Sequence, residues 1–258
     1  MADFTVALDC MGGDNAPEEP VKGAIDALKK DKELRVILVG DEATLRNLVQ
    51  DPGEDITSRI EYLHTTEVIE TAEPPVKAIS RKKDSSLVQA MKLVKDEKAD
   101  AFVSAGNSGA ILVGGQVIIG RMPGVKRAPL APLIPTEKGF SLLIDCGANL
   151  DSKPENLVQF ALMGSIYMEH VMGKKNPTVA IVNVGAEEEK GNALVKETFP
   201  LLKAEERINF IGSIEARDIP SGYADVIVCD AFVGNVILKL YEGVAKTIRH
   251  VLKKAFKS

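Results

Sequence analysis

At least six times along this chain of 258 residues, an apolar run breaks off into a short stretch of Asp, Asn, Gly and Ser. Residues 4–8 lead into Asp9-Cys10-Met11-Gly12-Gly13-Asp14-Asn15, and residues 101–103 into Ser104-Ala105-Gly106-Asn107-Ser108-Gly109-Ala110. Residues 141–144 end in Asp145-Cys146-Gly147-Ala148-Asn149, 179–182 in Asn183-Val184-Gly185, 208–211 in Gly212, and 225–229 in Asp230-Ala231-Phe232-Val233-Gly234-Asn235. Short continuous apolar runs bounded by turn residues are the mark of buried strands. Helical patterns separate them, and alternating strands and helices specify an α/β fold with a mostly parallel sheet. In an open parallel sheet the carboxyl ends of the strands lie along one edge, where ligands bind. The expectation is therefore one cleft lined by Asp9, Asp14, Asn15, Ser104, Asn107, Ser108, Asp145, Asn149, Asn183, Lys190, Asn192, Asp230 and Asn235. Each of these, taken singly, is also an ordinary turn residue.

The 104–110 stretch is the most pointed of these loops. A strand, a glycine-bearing turn and a helix start bring unpaired backbone N–H groups and the positive end of a helix dipole to one place, which suits an anion. Gly106 and Gly109 let the backbone come close, and Asn107 and Ser108 can donate to the anion or cap the helix. The alternative is a plain strand-to-helix turn.

Helices are expected over 18–30, behind Pro17 in a first-turn position, and from Asp41 or Thr44 to 49. A short helix should follow Glu73-Pro74-Pro75, and another should run from Asp84, Ser85 or Ser86 to about 98. Residues 111–119 read as a buried helix, and Asp151 or Ser152 should cap the helix that carries Pro154. The remaining helices end at about 204 and at the chain's last residues. Strands are expected at 35–39 and 59–64, and 130–134, interrupted by Pro132, reads as a broken or edge strand. The final helix carries Ile237, Leu240, Tyr241, Val244, Ile248, Val251 and Leu252 on one face. No stretch has the composition of a linker, so residues 1–258 read as a single α/β domain.

A net charge of −5 argues against nucleic acid, which demands clustered positive charge. Cys10, Cys146 and Cys229 have no metal-ligand spacing and read as buried apolar residues in a reducing compartment. The chain has no nucleophile elbow, zinc-binding H-E-x-x-H or P-loop. His64, His170 and His250 lie far apart and outside the polar loops. What remains for chemistry is backbone amides, Asn, Asp and one or two lysines, a set that holds anions and stabilises developing negative charge. The run Arg81-Lys82-Lys83 stands out in an acidic chain; it is either a solvated surface or a dock for an acidic partner.

Taken in order, the loops at 9–17, 104–110 and 145–149, Asn183-Val184-Gly185 with Lys190-Gly191-Asn192, Glu215-Ala216-Arg217-Asp218, and 230–235 with Leu238-Lys239 resemble the bacterial phosphate acyltransferase (PlsX) family. The resemblance runs over essentially the whole chain. It implies transfer of a fatty acyl group from acyl carrier protein to inorganic phosphate, giving acyl-phosphate for phospholipid synthesis, with no cofactor and no metal. It implies a three-layer α/β/α fold similar to those of the phosphate acetyltransferases and the isocitrate and isopropylmalate dehydrogenases. It further implies a cytoplasmic homodimer, peripherally associated with the membrane, that hands its product to a membrane glycerol-3-phosphate acyltransferase. Chains of that family continue past the point corresponding to residue 258, so the C-terminal part of the fold is expected to be lacking.

The chemistry suits the residues. Phosphate is largely dianionic near neutral pH and needs no strong base, and a thiol of pKa about 8.5 is a tolerable leaving group. The protein must bind phosphate, align it with the thioester carbonyl and stabilise the oxyanion. Substrate contacts are expected from Asp14, Asn15, Ser104, Gly106, Asn107, Ser108, Gly109, Asp145 and Asn149, with Arg81, Lys82 and Lys83 receiving the carrier protein. Catalysis is assigned to Lys190, as the positive partner of phosphate or oxyanion, with Asn183, Asn192, Asp230 and Asn235. Asp9, Asp14, Asp145 and Asp230 are expected to orient donors, since bare carboxylates repel phosphate; one of them could instead protonate the leaving thiolate. Alternatives are a phosphate acetyl- or butyryltransferase using coenzyme A, a decarboxylating dehydrogenase of similar fold, and a non-catalytic module that recruits carrier protein.

Overall fold

The computed structural model describes residues 4–256, and along the chain they divide into two compact units between Met122 and Pro123. In the first unit four strands, β1 (Phe4–Asp9), β2 (Leu34–Gly40), β3 (Ile60–His64) and β4 (Ala101–Ser104), pair in the order β3-β2-β1-β4, all parallel. The helices are α1 (Glu18–Lys30), α2 (Glu42–Val49), the single turn α3 (Glu54–Thr57), α4 (Pro75–Arg81), α5 (Ser86–Lys95) and α6 (Ser108–Gly114). Strand β2 shows why its sequence is apolar at nearly every position. Successive side chains point to opposite faces. Val36 and Leu38 pack with Val21, Ala24 and Leu28 of α1, while Ile37 and Val39 pack with Ala90 of α5. Helices thus cover both faces, as a parallel sheet requires.

The second unit holds β5 (Leu133–Thr136), β6 (Gly139–Ile144), β7 (Thr178–Val182), β8 (Asn209–Ile214) and β9 (Val226–Val228), in the order β5-β6-β9-β7-β8. Only β5 runs antiparallel to its neighbour. Leu142, Ile144, Val179, Ile181, Val226 and Val228 pack against α7 (Pro154–His170) and α8 (Ala193–Lys203) through Leu157, Phe160, Phe199 and Leu202. The opposite face, with Leu143, Ala180, Val182 and Ile227, meets Ile219 and Ile237, the latter from α9 (Ala231–Ala255). Among the described residues, no helix is long and apolar enough to cross a membrane.

Several expectations change. The described strands form two sheets where one mostly parallel sheet is expected, and the described residues divide into two compact units. The helix expected over 111–119 starts at Ser108 and gives way at Gly115–Ile119 to a π-helical turn, where Gly114 and Gly115 supply little helix propensity. Neither Asp151 nor Ser152 caps α7. Pro154 occupies the first turn, which makes Lys153 the N-cap, and Lys153 N donates to Asn156 Oδ1 at 2.9 Å. Of the offered caps, Asp41 and Ser85 are the ones used.

Asp225 anchors the start of β7. It accepts from Thr178 N and Oγ1, each at 2.9 Å, and from Lys174 Nζ at 2.8 Å. Burial pushes its carboxyl up, but these bonds more than offset that, and it lies below the ordinary carboxylate range. A carboxyl depressed in the folded state stabilises above its unfolded pKa, about 3.9, and loses that stabilisation as pH falls through the lower folded value. The urea midpoint of the wild type should therefore fall more steeply than that of Asp225→Asn as pH drops below about 4. Parallel curves would remove Asp225 from the acid response.

Candidate functional site

In the first unit, β1 and β4 are neighbours in register, with Asp9 opposite Ser104. Ser104 Oγ donates to Asp9 Oδ2 at 2.7 Å and accepts from Gly106 N at 3.0 Å, and Met11 N donates to Asp9 Oδ1 at 3.2 Å. One buried carboxyl group therefore ties two strand-end loops together. The glycines serve the same junction: a Cβ on Gly106 would lie 3.2 Å from Gly12 Cα, and one on Gly12 would lie 2.5 Å from Asp9 Oδ2. A side chain at Gly106 would therefore press on the neighbouring loop, which would have to give by a few tenths of an ångström.

Asn107 is buried and fully engaged. Its Oδ1 accepts from Ala110 N at 2.9 Å, capping α6, and its Nδ2 faces the carbonyl oxygens of Glu70, Thr71 and Glu73 at 3.2, 3.1 and 2.9 Å. The side-chain donor expected to meet phosphate is spent on the 70–73 loop. What the turn still presents is the exposed Ser108 and the backbone amides of Ser108 and Gly109, since Ala110 N and Ile111 N already bond Asn107. Gly109 packs on Pro75, whose Cγ would lie 2.5 Å from an added Cβ. Asp14 and Asn15 lie in a shallow surface depression with Glu18 and Glu19, an acidic setting that disfavours phosphate.

The basic run divides. Arg81 and Lys83 are exposed, whereas Lys82 Nζ donates to Val68 O at 2.6 Å and to Glu73 Oε1 at 2.5 Å. That bond to Lys82 is the main reason the Glu73 carboxyl lies below its ordinary range. Nothing local in the sequence ties Glu73 to Lys82 or the 70–73 carbonyls to Asn107; the only signal is the stiff Pro74-Pro75 pair that follows.

The second unit shows the same division between spent and exposed groups. Asp145 is wholly buried and accepts from Leu130 N at 2.9 Å, Ala148 N at 3.2 Å, Asn149 N at 2.9 Å and Asn149 Nδ2 at 2.8 Å. Asn149 Nδ2 also donates to Ala128 O at 3.0 Å. These two residues, expected to contact substrate, fasten the 128–130 and 145–149 segments to each other. Asn183 likewise donates to Lys190 O and Ser213 Oγ, each at 3.2 Å, and accepts from its neighbour Val184 N at 2.8 Å. Asn192 caps α8 through Val195 N, and Asp230 caps α9 through Phe232 N and Val233 N. Asn235 stands exposed on α9 beside Gly147.

Lys190 is about half exposed, with Nζ 2.8 Å from Glu187 Oε1. That hydrogen bond raises its ammonium above the ordinary lysine range, with Glu215 and Glu189 adding to the effect. The thiols are unsuited to attack: burial pushes Cys10 and Cys146 up to about 12 and holds Cys229 well above its ordinary value, so all stay protonated at neutral pH.

Residues 4–258 match the family model described as "Fatty acid synthesis protein". The phosphate acyltransferase of Alkaliphilus oremlandii is 53% identical over 254 residues, covering 97% of this chain and 74% of that one. The phosphate acyltransferase of Clostridium botulinum is 51% identical over 249 residues, covering 96% and 74%. Among solved structures, a phosphotransacetylase from Staphylococcus aureus superposes with a TM-score of 0.66 at 21% identity, covering 95% of this chain and 83% of that one. At that identity the likeness is one of fold.

Proposed function

The chain belongs to the fatty acid synthesis protein family, and from that membership we propose that it is a phosphate acyltransferase that moves a fatty acyl group from acyl carrier protein to inorganic phosphate. The observation that carries the reading is identity of about half the residues, over nearly the whole chain, to proteins named phosphate acyltransferase. The residue chemistry supports it. The second unit exposes an ammonium (Lys190) and carboxamides (Asn192, Asn235) at its strand ends, and the first unit separately exposes a hydroxyl (Ser108); each is a group that suits anion binding or oxyanion stabilisation. The phosphate oxygen attacks the thioester carbonyl, hydrogen-bond donors and positive charge of this kind stabilise the oxyanion, and the carbon–sulfur bond breaks to release the carrier thiolate. In the first unit an apolar groove of Val6, Leu8, Ala24, Ala27 and Val103 runs up to Ser104 and suits an alkyl chain.

The reading extends to a cytoplasmic homodimer that touches the membrane peripherally and passes acyl-phosphate to a membrane glycerol-3-phosphate acyltransferase. The exposed Leu240, Val244, Ile248 and Val251 of α9 support a surface for a second copy or for lipid.

The deciding experiment measures release of carrier thiol from acyl-carrier protein with and without phosphate. Phosphate-dependent release supports the reading. Turnover only with acyl-coenzyme A favours the acetyl- or butyryltransferase alternative, and carrier binding without turnover favours a recruiting module.

Acyl carrier proteins are acidic, so the exposed Arg81 and Lys83 should steer their approach. Arg81→Glu combined with Lys83→Glu should raise the carrier KM about tenfold and flatten its salt dependence. Phosphate KM should hold steady. An unchanged carrier KM would return these two residues to the solvated surface.

A further inference from the structure

Lys82 sits between two exposed cations, yet its side chain turns inward and is only 31% exposed. Its ammonium gathers one loop. It holds Val68 O and Glu73 Oε1, and the same Glu73 oxygen accepts from Glu70 N at 2.8 Å. Residues 68–73 are therefore curled around a single positive charge. The far side of that curl presents three carbonyl oxygens, those of Glu70, Thr71 and Glu73, to Asn107 Nδ2. The other end of the Asn107 carboxamide caps α6. A second link runs in parallel, because Pro75, next but one after Glu73, packs directly on Gly109.

We propose that Lys82 and Glu73 are positioning residues for the 104–110 turn, acting through the 68–75 loop and Asn107, and that Lys82 is not a contact for the acidic partner that Arg81 and Lys83 face. Three carbonyls converge on one carboxamide only while the loop keeps its curl. The curl has an ammonium at its centre with a carboxylate and a carbonyl around it, a charge-assisted arrangement stronger than neutral hydrogen bonds. Without the ammonium, Glu73 loses its counter-charge and the loop its tether to Val68. Asn107 then meets carbonyls that no longer hold position, and its cap on Ala110 N weakens, which loosens the 104–110 turn. The inference rests on the phosphate acyltransferase reading only where phosphate is the readout.

Two measurements on the full chain test it. The first needs no substrate: hydrogen exchange in peptides covering 104–114, for wild type, Lys82→Met, Lys82→Arg and Arg81→Glu with Lys83→Glu. Lys82→Met should speed exchange there at least tenfold while peptides of β1, β2 and α1 stay as in the wild type. Lys82→Arg, which keeps a charge and several donors, should restore much of the protection, and the double reversal should leave it intact. Uniform acceleration through the first unit would mean Lys82 supports general stability alone, and no acceleration would mean the turn does not depend on it; either result overturns the proposal.

The second measurement is steady-state kinetics. Lys82→Met and Glu73→Ala should each raise phosphate KM about tenfold with carrier KM nearly constant, the reverse of the double reversal. If Lys82→Met raises carrier KM and leaves phosphate KM alone, Lys82 is a docking residue and the proposal fails. Asn107→Ala separates this from failure of the phosphate reading. Should Asn107→Ala shift phosphate KM while Lys82→Met does not, the turn binds phosphate but the clamp is refuted.

Discussion

Asp145→Ala should leave the second unit barely folded. The carboxyl group is wholly buried and receives four hydrogen bonds, three from backbone N–H groups and one from Asn149 Nδ2. Alanine offers none of these donors an acceptor. Each stranded buried donor costs about 1–3 kcal/mol, so the sum is about 4 kcal/mol or more, against a whole-domain stability of about 5–15 kcal/mol. Asp145→Asn should also be severe, because it turns an NH2 group toward donors at one of the two oxygen positions. Asn149→Ala should cost less, since it removes only the two bonds made by Nδ2. Urea melts followed by circular dichroism would rank the three. A midpoint for Asp145→Ala equal to wild type would show that the carboxyl group is not the fastener and would return it to the chemistry of the site.

Lys190→Ala should lower kcat/KM for phosphate about a hundredfold, or ~2.7 kcal/mol of transition-state stabilisation, without unfolding the protein. The backbone of the loop is fixed apart from the side chain: Asn183 Nδ2 holds Lys190 O, and Gly191, at φ +106°, fits a space where a Cβ would strike Asn183 Oδ1. Among the described residues the ammonium's hydrogen-bond partner is exposed Glu187, with Glu215 and Glu189 acting through their charge alone. Exposed ion pairs contribute about 0–1 kcal/mol, so an incoming dianion can displace Glu187 at little cost. For the same reason the urea midpoint of Lys190→Ala should match wild type. Lys190→Arg keeps the charge and should retain much of the rate. A normal rate with normal phosphate saturation in Lys190→Ala would remove this residue from the site.

Both expectations turn on whether a polar group is already spent, and the residues differ in how plainly their sequence says so. Local signals were legible. The apolar runs marked strands, and the run at 35–39 became β2, which helices cover on both faces. Asp41 and Ser85 sit where a cap must sit, because their partners, Thr44 N and Val88 N, lie three residues ahead. Family membership was legible for a related reason, since it rests on the order of short motifs. The π-helical end of α6 and the cap at Lys153 were misread by a few residues, where glycine and proline shift a helix boundary.

The chain by itself therefore determined the element types, the polar strand ends, the scarcity of histidine and the family. Tertiary structure alone decided that the strands form two sheets, since periodicity fixes which face of a strand is apolar but not which strand lies beside it. It also decided that Asn107, Asp145, Asn149, Asn183 and Lys82 turn inward to hold loops, while Ser108, Lys190 and Asn235 remain exposed. A carboxamide or an ammonium has the same chemistry in either role. What separates the roles is whether backbone carbonyls and amides arrive within about 3 Å. For Asn107 and Asp145 some of those partners come from distant points in the chain, and only folding brings them there.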